Sequence, residues 1–304
     1  MLARMYGTLT IVMRFFSALP LWLARGVGRG LGFLAYLFVR RHRRTNLAEM
    51  ARCFPSTSRR ELKRRLSRVY QGMAVNYIEV FRWIGGKQGE LDSQVRMSGE
   101  EHLDAALSRG RGALILTAHT GNWDLLGLWA SHRVKLTIIS KELRSAGANR
   151  FWMEARARCG LNILPAHQSY RACLSVLRRN EVLGFILDQN MTRMEGIFVE
   201  FFGKAACTTP GLAFMAAHSK APVVPAFMIR EADGSHRIEI HPPIEPPPDR
   251  EAETLRAATQ RYTRLIEDVI RRHPDQWIWM HRRWRTQPLP VEQMAPVGVK
   301  EAIE

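Results

Sequence analysis

Short apolar runs that alternate with longer helical patterns constrain the fold of this chain more than any other feature of its sequence. The runs are continuous and of strand length, and they lie at 113–118, 136–140, 182–187 and 223–229. Helical patterns separate or follow them, at about 122–131, 149–159, 168–179 and 209–219. Since uniformly apolar strands are buried on both faces and parallel strands need helical crossovers, this alternation predicts an α/β fold with a largely parallel central sheet flanked by helices.

Further patterns extend this prediction over most of the 304 residues. Apolar residues at helical spacing predict a helix over 60–81, and a long helix is predicted over about 249–272. Residues 236–240 alternate in polarity, as an outer strand would. We therefore expect an N-terminal helical segment at 1–45, a main α/β domain at 46–288 and a flexible tail at 289–304.

Basic residues are concentrated near the amino terminus. The net charge of the chain is +17, and residues 1–70 hold 15 Arg and Lys but only two acidic residues. Such an excess implies a polyanionic partner, either nucleic acid or a phosphate-bearing membrane surface. The apolar runs between the first arginines favour the membrane. Each run is only about ten residues long, roughly half of what a spanning helix needs.

These features predict an amphipathic, membrane-associated segment that lies in the interface rather than crossing it. Its aromatic side chains would face the acyl region, while Arg14, Arg25 and Arg29 would reach lipid phosphates. The basic cluster at 40–44 predicts that this part of the segment lies on the cytoplasmic side of the membrane.

One motif carries recognisable chemistry. His119 follows the first buried strand, and Asp124 comes five residues later, where a helix is predicted to begin. Ligands of open α/β sheets bind at the carboxyl ends of the strands. If the chain turns into a helix at 121–122, Asp124 can bind one imidazole nitrogen and leave the other free as a base. The competing interpretation is that His119 is a structural residue whose hydrogen bonds are satisfied within the turn.

Four ordered sequence blocks resemble the lipid A late acyltransferases, the lauroyl and myristoyl transferase family of Gram-negative envelopes. The first is the basic segment at 43–55, and the second is the run from Gly112 to Asp124. The third comprises 188–189, 198–203 and 208–211, and the fourth runs from Pro274 to Trp284. The resemblance extends over residues 30–288, nearly the whole chain.

The resemblance implies an inner-membrane enzyme that moves a fatty acyl chain from acyl carrier protein, or sometimes acyl-CoA, to a lipid hydroxyl. The acceptor would be an anionic membrane lipid, in the family a Kdo-bearing lipid A precursor. His119 would be the general base and Asp124 its orienting carboxylate. Either Arg156 or Arg158 would match an arginine that contacts substrate.

Other residues are candidates for substrate binding. Asn122 and Gln189 lie within the matching blocks, and Asp188 ends a predicted strand, so it either faces the cleft of His119 or caps the next turn. Phe201 and Phe202 either line an acyl groove or pack in the core. Two further candidates, Arg282 and Arg283, either clamp lipid phosphates or form a structural cluster.

The sequence contains no glycine-rich phosphate loop, metal-ligand spacing or nucleotide fingerprint. We therefore expect no metal and no cofactor.

Two alternatives for the function stay open at this point. The acceptor could be another amphiphile, such as a lysophospholipid, an aminolipid or a mannolipid. The chain could also be a non-catalytic basic protein that binds anionic membrane or nucleic acid, although no nucleic-acid-binding motif is found and we expect no nucleic-acid partner.

Overall fold

A seven-stranded, mostly parallel sheet forms the centre of the protein. The computed structural model describes residues 2–166 and 169–289. The strands of the sheet and of a separate hairpin are β1 (Val95–Ser98), β2 (Ala113–Thr117), β3 (Leu136–Ser140), β4 (Asn162–Pro165), β5 (Val182–Ile186), β6 (Ile197–Phe201), β7 (Lys204–Thr208), β8 (Val223–Arg230) and β9 (His236–Ile240). The order in the sheet is β1-β9-β8-β2-β5-β3-β4, and β6 pairs with β7 in an antiparallel hairpin.

Helices cover the sheet. They are α1 (Leu2–Ala18), α2 (Leu21–Phe38), α3 (Arg40–Cys53), α4 (Arg59–Ile84), α5 (Gln88–Asp92), α6 (Glu100–Leu107), α7 (Trp123–Ser131), α8 (Ala146–Arg158), α9 (Tyr170–Arg178), α10 (Gly211–Ser219) and α11 (Ala252–Arg272). The main apolar core contains β2, β5 and β8 together with buried faces of α4, α9, α10 and α11. The predicted α/β fold with a largely parallel, helix-flanked sheet is confirmed.

The edges of the sheet differ from the prediction. The segment 236–240 is a strand, but it is not outermost, because β1 pairs with it in parallel while β8 pairs with its other side in antiparallel orientation. The short strand β4 forms the opposite edge, beyond β3. Both edge strands have only four residues, too few to give a clear periodic signal in the sequence.

The amino-terminal helices pack on the body of the protein through α4. Gly32 of α2 lies so close to this helix that an added Cβ would come within 2.4 Å of the Gln71 Cα atom. Among the described residues, no helix is both long and apolar enough to cross a membrane. The domain boundary predicted at residue 45 falls inside α3, which runs from Arg40 to Cys53. The predicted tail at 289–304 lies outside the described residues after Leu289.

A buried ion cluster ties these helices to the sheet. Glu79 of α4 is completely buried, and its carboxylate accepts hydrogen bonds from Arg25 Nε at 2.8 Å and Arg230 Nη1 at 2.6 Å. His236 Nε2 lies 3.1 Å from the same carboxylate. The prediction that Arg25 reaches lipid phosphates is therefore wrong, since its side chain is turned inward to neutralise a buried charge.

Candidate active site

The parallel register of two neighbouring strands brings His119 and Asp188 together. Thr117 at the end of β2 pairs with Ile186 at the end of β5, so the residues two positions further along each chain lie side by side. His119 Nδ1 is 2.8 Å from Asp188 Oδ1, and the His119 backbone N–H donates to Asp188 Oδ2 at 2.9 Å. Trp277 donates its indole N–H to Oδ2 at 2.7 Å.

These contacts set the charge state of the pair. Burial alone would raise the pKa of Asp188, but the adjacent His119 ring and the donated hydrogen bonds outweigh it, so the pKa of this carboxyl lies far below its ordinary value. Burial alone would lower the pKa of His119, but the Asp188 carboxylate outweighs it and raises that pKa above its ordinary value. An ionised Asp188 favours a proton on Nδ1 and leaves Nε2 able to accept one.

Asp124 does not take the place that the sequence spacing predicted. Its Oδ1 accepts a hydrogen bond from Arg156 Nη2 at 2.6 Å, whereas the carboxylate on the His119 ring belongs to Asp188. Because Asp124 lies in the first turn of α7 and Arg156 in the last turn of α8, the pair links two helix ends beside the imidazole. The expected contact between Asp124 and His119 is therefore wrong, although both line the same cavity.

His119 lines a large open cavity. Its volume is about 2620 Å³, and its lining is mostly apolar. Ile115, Gly184 and Ile138 form one stretch of its wall, because they lie side by side on β2, β5 and β3. Along β5, Val182, Gly184 and Ile186 all line the cavity, so this wall also extends over four residue steps, about 13 Å, which suits an extended hydrocarbon chain.

The other predicted binding residues divide into two groups. Asp188 and Gln189 contact His119, with Gln189 Nε2 at 3.3 Å from His119 Nε2, and Arg156 lines the cavity. The remaining candidates are not among the described residues that line it: Asn122, Arg158, Phe201, Phe202, Arg282 and Arg283.

Two of these remaining candidates, Asn122 and Arg283, have clear structural contacts. Asn122 caps α7 through Leu125 N–H and donates to the buried Glu79 carboxylate at 2.9 Å. Arg283 is buried and donates to the backbone oxygens of Gln189 at 3.1 Å and Cys207 at 2.8 Å. Burial lowers the pKa of Arg283 to about 10. The contacts of Arg283 join the loop that follows β5 to the end of β7, so they favour the structural alternative for Arg283.

The other four candidates lie elsewhere. Phe201 and Phe202 are buried in an aromatic cluster with Trp277, Trp279 and Trp284. The two phenylalanines therefore pack in the core, which is the second of the two interpretations above. Arg158 is exposed and donates to the Glu154 backbone oxygen at 3.2 Å, and Arg282 is exposed as well.

Sequence reasoning missed two residues of the site. The Trp277 indole holds Asp188, and the ring of His281 lies 4.9 Å from that of His119, centroid to centroid. Both belong to the block at 274–284, in which the sequence predicts only Arg282 and Arg283 as candidates. No spacing rule connects this block to residue 119, and only the unusual density of Trp and His there could have drawn attention to it.

Comparisons with known proteins place the chain among the acyltransferases. A family model described as bacterial lipid A biosynthesis acyltransferase matches residues 4–286. The chain therefore belongs to this family and is an acyltransferase, which decides against the non-catalytic alternative.

Individual relatives match along most of their length. A phosphatidylinositol mannoside acyltransferase of Mycolicibacterium smegmatis is 27% identical over 89% of this chain and 88% of its own. The lipid A biosynthesis lauroyltransferase of Escherichia coli is 24% identical over 93% and 90%, respectively. The crystal structure of the 1-acyl-sn-glycerophosphate acyltransferase from Thermotoga maritima covers 84% of this chain and 99% of its own, with a TM-score of 0.40 and 15% identity.

Proposed function

We propose that this acyltransferase moves a fatty acyl chain from an acyl thioester to a hydroxyl of a membrane glycolipid, with His119 as the general base. The observation that carries the proposal is that His119, hydrogen-bonded to the buried Asp188, lines a large, mostly apolar cavity. An imidazole base activates a hydroxyl, and an apolar cavity accommodates a fatty chain.

The proposed reaction is a direct transfer. The acceptor oxygen attacks the thioester carbonyl carbon while its proton passes to His119 Nε2. The tetrahedral intermediate then collapses, the carbon–sulfur bond breaks, and the thiolate leaves with the proton from the imidazolium. Asp188 holds the ring in the required tautomer and stabilises the imidazolium that forms between these steps.

Basic residues support a phosphorylated substrate at the cavity. Six of the described lining residues are Arg or Lys, against four that are Asp or Glu; the six are Arg133, Lys141, Arg156, Arg171, Arg193 and Arg250. Arginine binds phosphate with two parallel hydrogen bonds. Arg156 pairs with Asp124, which follows His119 by five residues and lines the same cavity. Acyl carrier protein and acyl-CoA both carry a phosphate next to the pantetheine arm.

Exposed apolar side chains on α1 and α2 support a membrane-docking face. Trp22 is 74% exposed and Phe38 is 79% exposed, with further exposed residues at Ile11, Phe15, Leu31, Phe33, Leu34 and Leu37. Large exposed apolar patches mark interaction surfaces, and flanking arginines suit anionic lipid. We propose that this face holds the enzyme on the cytoplasmic surface of the inner membrane, where a lipid acceptor can enter the cavity.

The relatives suggest two acceptors. The lipid A family model favours a lipid A precursor, and the mannoside acyltransferase relative makes a mannolipid the second candidate. Mass spectrometry of envelope lipids from cells with and without the protein distinguishes them. Loss of one acyl mass from lipid A supports the first acceptor, loss from a mannolipid supports the second, and no missing acyl mass in any glycolipid contradicts the proposal.

The donor is tested separately with purified protein in lipid vesicles. Labelled acyl carrier protein thioester and labelled acyl-CoA are each supplied with the acceptor that mass spectrometry identifies. We expect transfer from the carrier protein to be faster, because a basic protein surface attracts an acidic carrier. Equal or faster transfer from acyl-CoA would contradict that choice of donor but not the reaction.

A further inference from the structure

His281 is held beside His119 by the segment that also carries Trp277. The Ile278 backbone N–H donates to the His119 backbone oxygen at 3.0 Å, and the Gly121 N–H donates to the Gln276 oxygen at 2.9 Å. The two imidazole rings lie 4.9 Å apart, with an angle of 64° between their planes. His281 and His119 line the same cavity. Two backbone hydrogen bonds between residues 119–121 and 276–278 therefore fix the position of His281 next to the proposed base.

The ring nitrogens of His281 have no partner among the residues that the structure describes. Nε2 is buried without a hydrogen bond, whereas Nδ1 is not among the buried unpaired atoms and makes no hydrogen bond to a described residue. A protonated ring would need an acceptor at both nitrogens, and burying an unpaired N–H is costly. Burial, together with the neighbouring His119, lowers the pKa of His281. The ring is therefore neutral, and its one proton is best placed on Nδ1, because Nε2 is buried without an acceptor.

We propose that His281 is a second catalytic residue, whose Nδ1–H donates a hydrogen bond to the thioester carbonyl oxygen as the tetrahedral intermediate forms. This inference rests on the proposed acyl transfer. His281 keeps its proton throughout, because the hydroxyl proton passes to His119 and then to the leaving thiolate. A fixed donor near the carbonyl stabilises the negative charge that develops on its oxygen. A neutral imidazole suits this task, since it donates a hydrogen bond without transferring its proton.

Three variants distinguish a donor from a packing residue. His281→Leu removes both ring nitrogens. His281→Asn keeps an amide nitrogen at the δ position, as Nδ1 is, and His281→Gln moves that nitrogen to the ε position. Acyl transfer by each variant is measured in vesicles with labelled donor, and kcat and KM are determined separately. Thermal unfolding of each variant checks that the fold is intact.

We expect kcat of His281→Leu to fall by about 10²–10³, the usual effect of removing one such donor, with KM changed by less than about threefold because the interaction forms in the transition state. His281→Asn is expected to recover at least about tenfold over His281→Leu and more than His281→Gln. An unchanged kcat for His281→Leu, or equal loss in all three variants, would overturn the proposal. Wild-type protein that transfers no acyl chain would instead contradict the proposed function itself.

Discussion

At the scale of single residues, the buried Asp188 carboxylate decides how the imidazole of His119 can act. It accepts hydrogen bonds from the His119 backbone, the His119 ring and the Trp277 indole. An ionised carboxylate in a buried site needs such donors, because otherwise it would become protonated. Asp188 is therefore placed to fix the tautomer of His119, and this role can be tested by substitution.

Replacing Asp188 by Asn should lower the rate of acyl transfer by on the order of 10²–10⁴, because an amide can hold the ring in the wrong tautomer. Asp124→Asn is the matched control. It removes a carboxylate that pairs with Arg156 and leaves the bond between His119 and Asp188 in place. A larger loss of kcat in Asp124→Asn than in Asp188→Asn would contradict the assignment of the orienting residue.

The pH dependence of kcat/KM gives an independent test. His119 must be neutral to accept a proton, and its pKa is raised above its ordinary value of 6.5. Activity should therefore rise with pH through a midpoint above 6.5. In Asp188→Asn the carboxylate is gone and burial still lowers the pKa of His119, so the midpoint should move to lower pH. A midpoint that stays in place would show that Asp188 does not interact with the catalytic base.

The contrast between Asp124 and Asp188 shows how far residue-level prediction reaches. His119 could be identified because a histidine at the end of a buried strand is a local signal. The carboxylate was misassigned because Asp124 lies five residues away in the sequence, whereas Asp188 is 69 residues away. The register of β2 and β5 brings Asp188 next to His119. No local sequence pattern predicts the order of the strands in the sheet.

At the scale of secondary-structure elements, the buried Glu79 cluster joins α2, α4, β8 and β9. Arg25, Arg230 and His236 surround the carboxylate. Burial alone would raise the pKa of Glu79, but these neighbours outweigh it and hold that pKa well below its ordinary value. The cluster fixes the amino-terminal helices to the sheet near the loop that follows His119, because Asn122 also donates to Glu79.

Glu79→Gln should destabilise the fold by about 3–5 kcal/mol, since two arginines would stay buried without their counter-charge. The free energy of unfolding is measured by urea denaturation. Glu253→Gln is the matched control, because Glu253 pairs with Arg256 on an exposed face, and exposed ion pairs contribute little. Equal destabilisation by the two substitutions would contradict the structural role of the cluster.

Elements with a clear apolar pattern were predicted well, and strands of mixed composition were not. The predicted helix at 60–81 corresponds to α4, and the predicted strands at 136–140 and 236–240 coincide with β3 and β9. The hairpin of β6 and β7 and the edge strands β1 and β4 were not predicted. Their sequences are VRMS, NILP, IFVEF and KAACT, which interrupt the apolar run with polar residues, small residues or proline. Such strands are defined by their pairing partners rather than by their own composition.

At the scale of the whole molecule, the proposed membrane face and the apolar cavity both suit an enzyme that acts on lipids. Exposed apolar residues are concentrated on the amino-terminal helices, and most of the basic excess of the sequence lies in the same region. The fold class could be predicted because it depends on the sum of many apolar segments. The tertiary position of α1 and α2 against α4 could not, because close approach at a single glycine such as Gly32 decides it.

Removing two large side chains from the proposed membrane face should weaken binding to vesicles. We expect Trp22→Ser with Phe38→Ser to lower the affinity for anionic vesicles at least about tenfold, because burying one large apolar side chain contributes about 1.5–3 kcal/mol. Binding is measured by vesicle co-sedimentation, with neutral vesicles as a control for the electrostatic part. Unchanged affinity in the double variant would exclude this face as the docking surface.

The activity of His119→Ala tests the central claim most directly. Wild-type and variant proteins are supplied with labelled acyl thioester and the glycolipid acceptor in vesicles, and the acylated product is quantified. Loss of the general base should lower turnover by about 10²–10⁴ while the protein stays folded. Acyl transfer by His119→Ala at the wild-type rate would contradict the account.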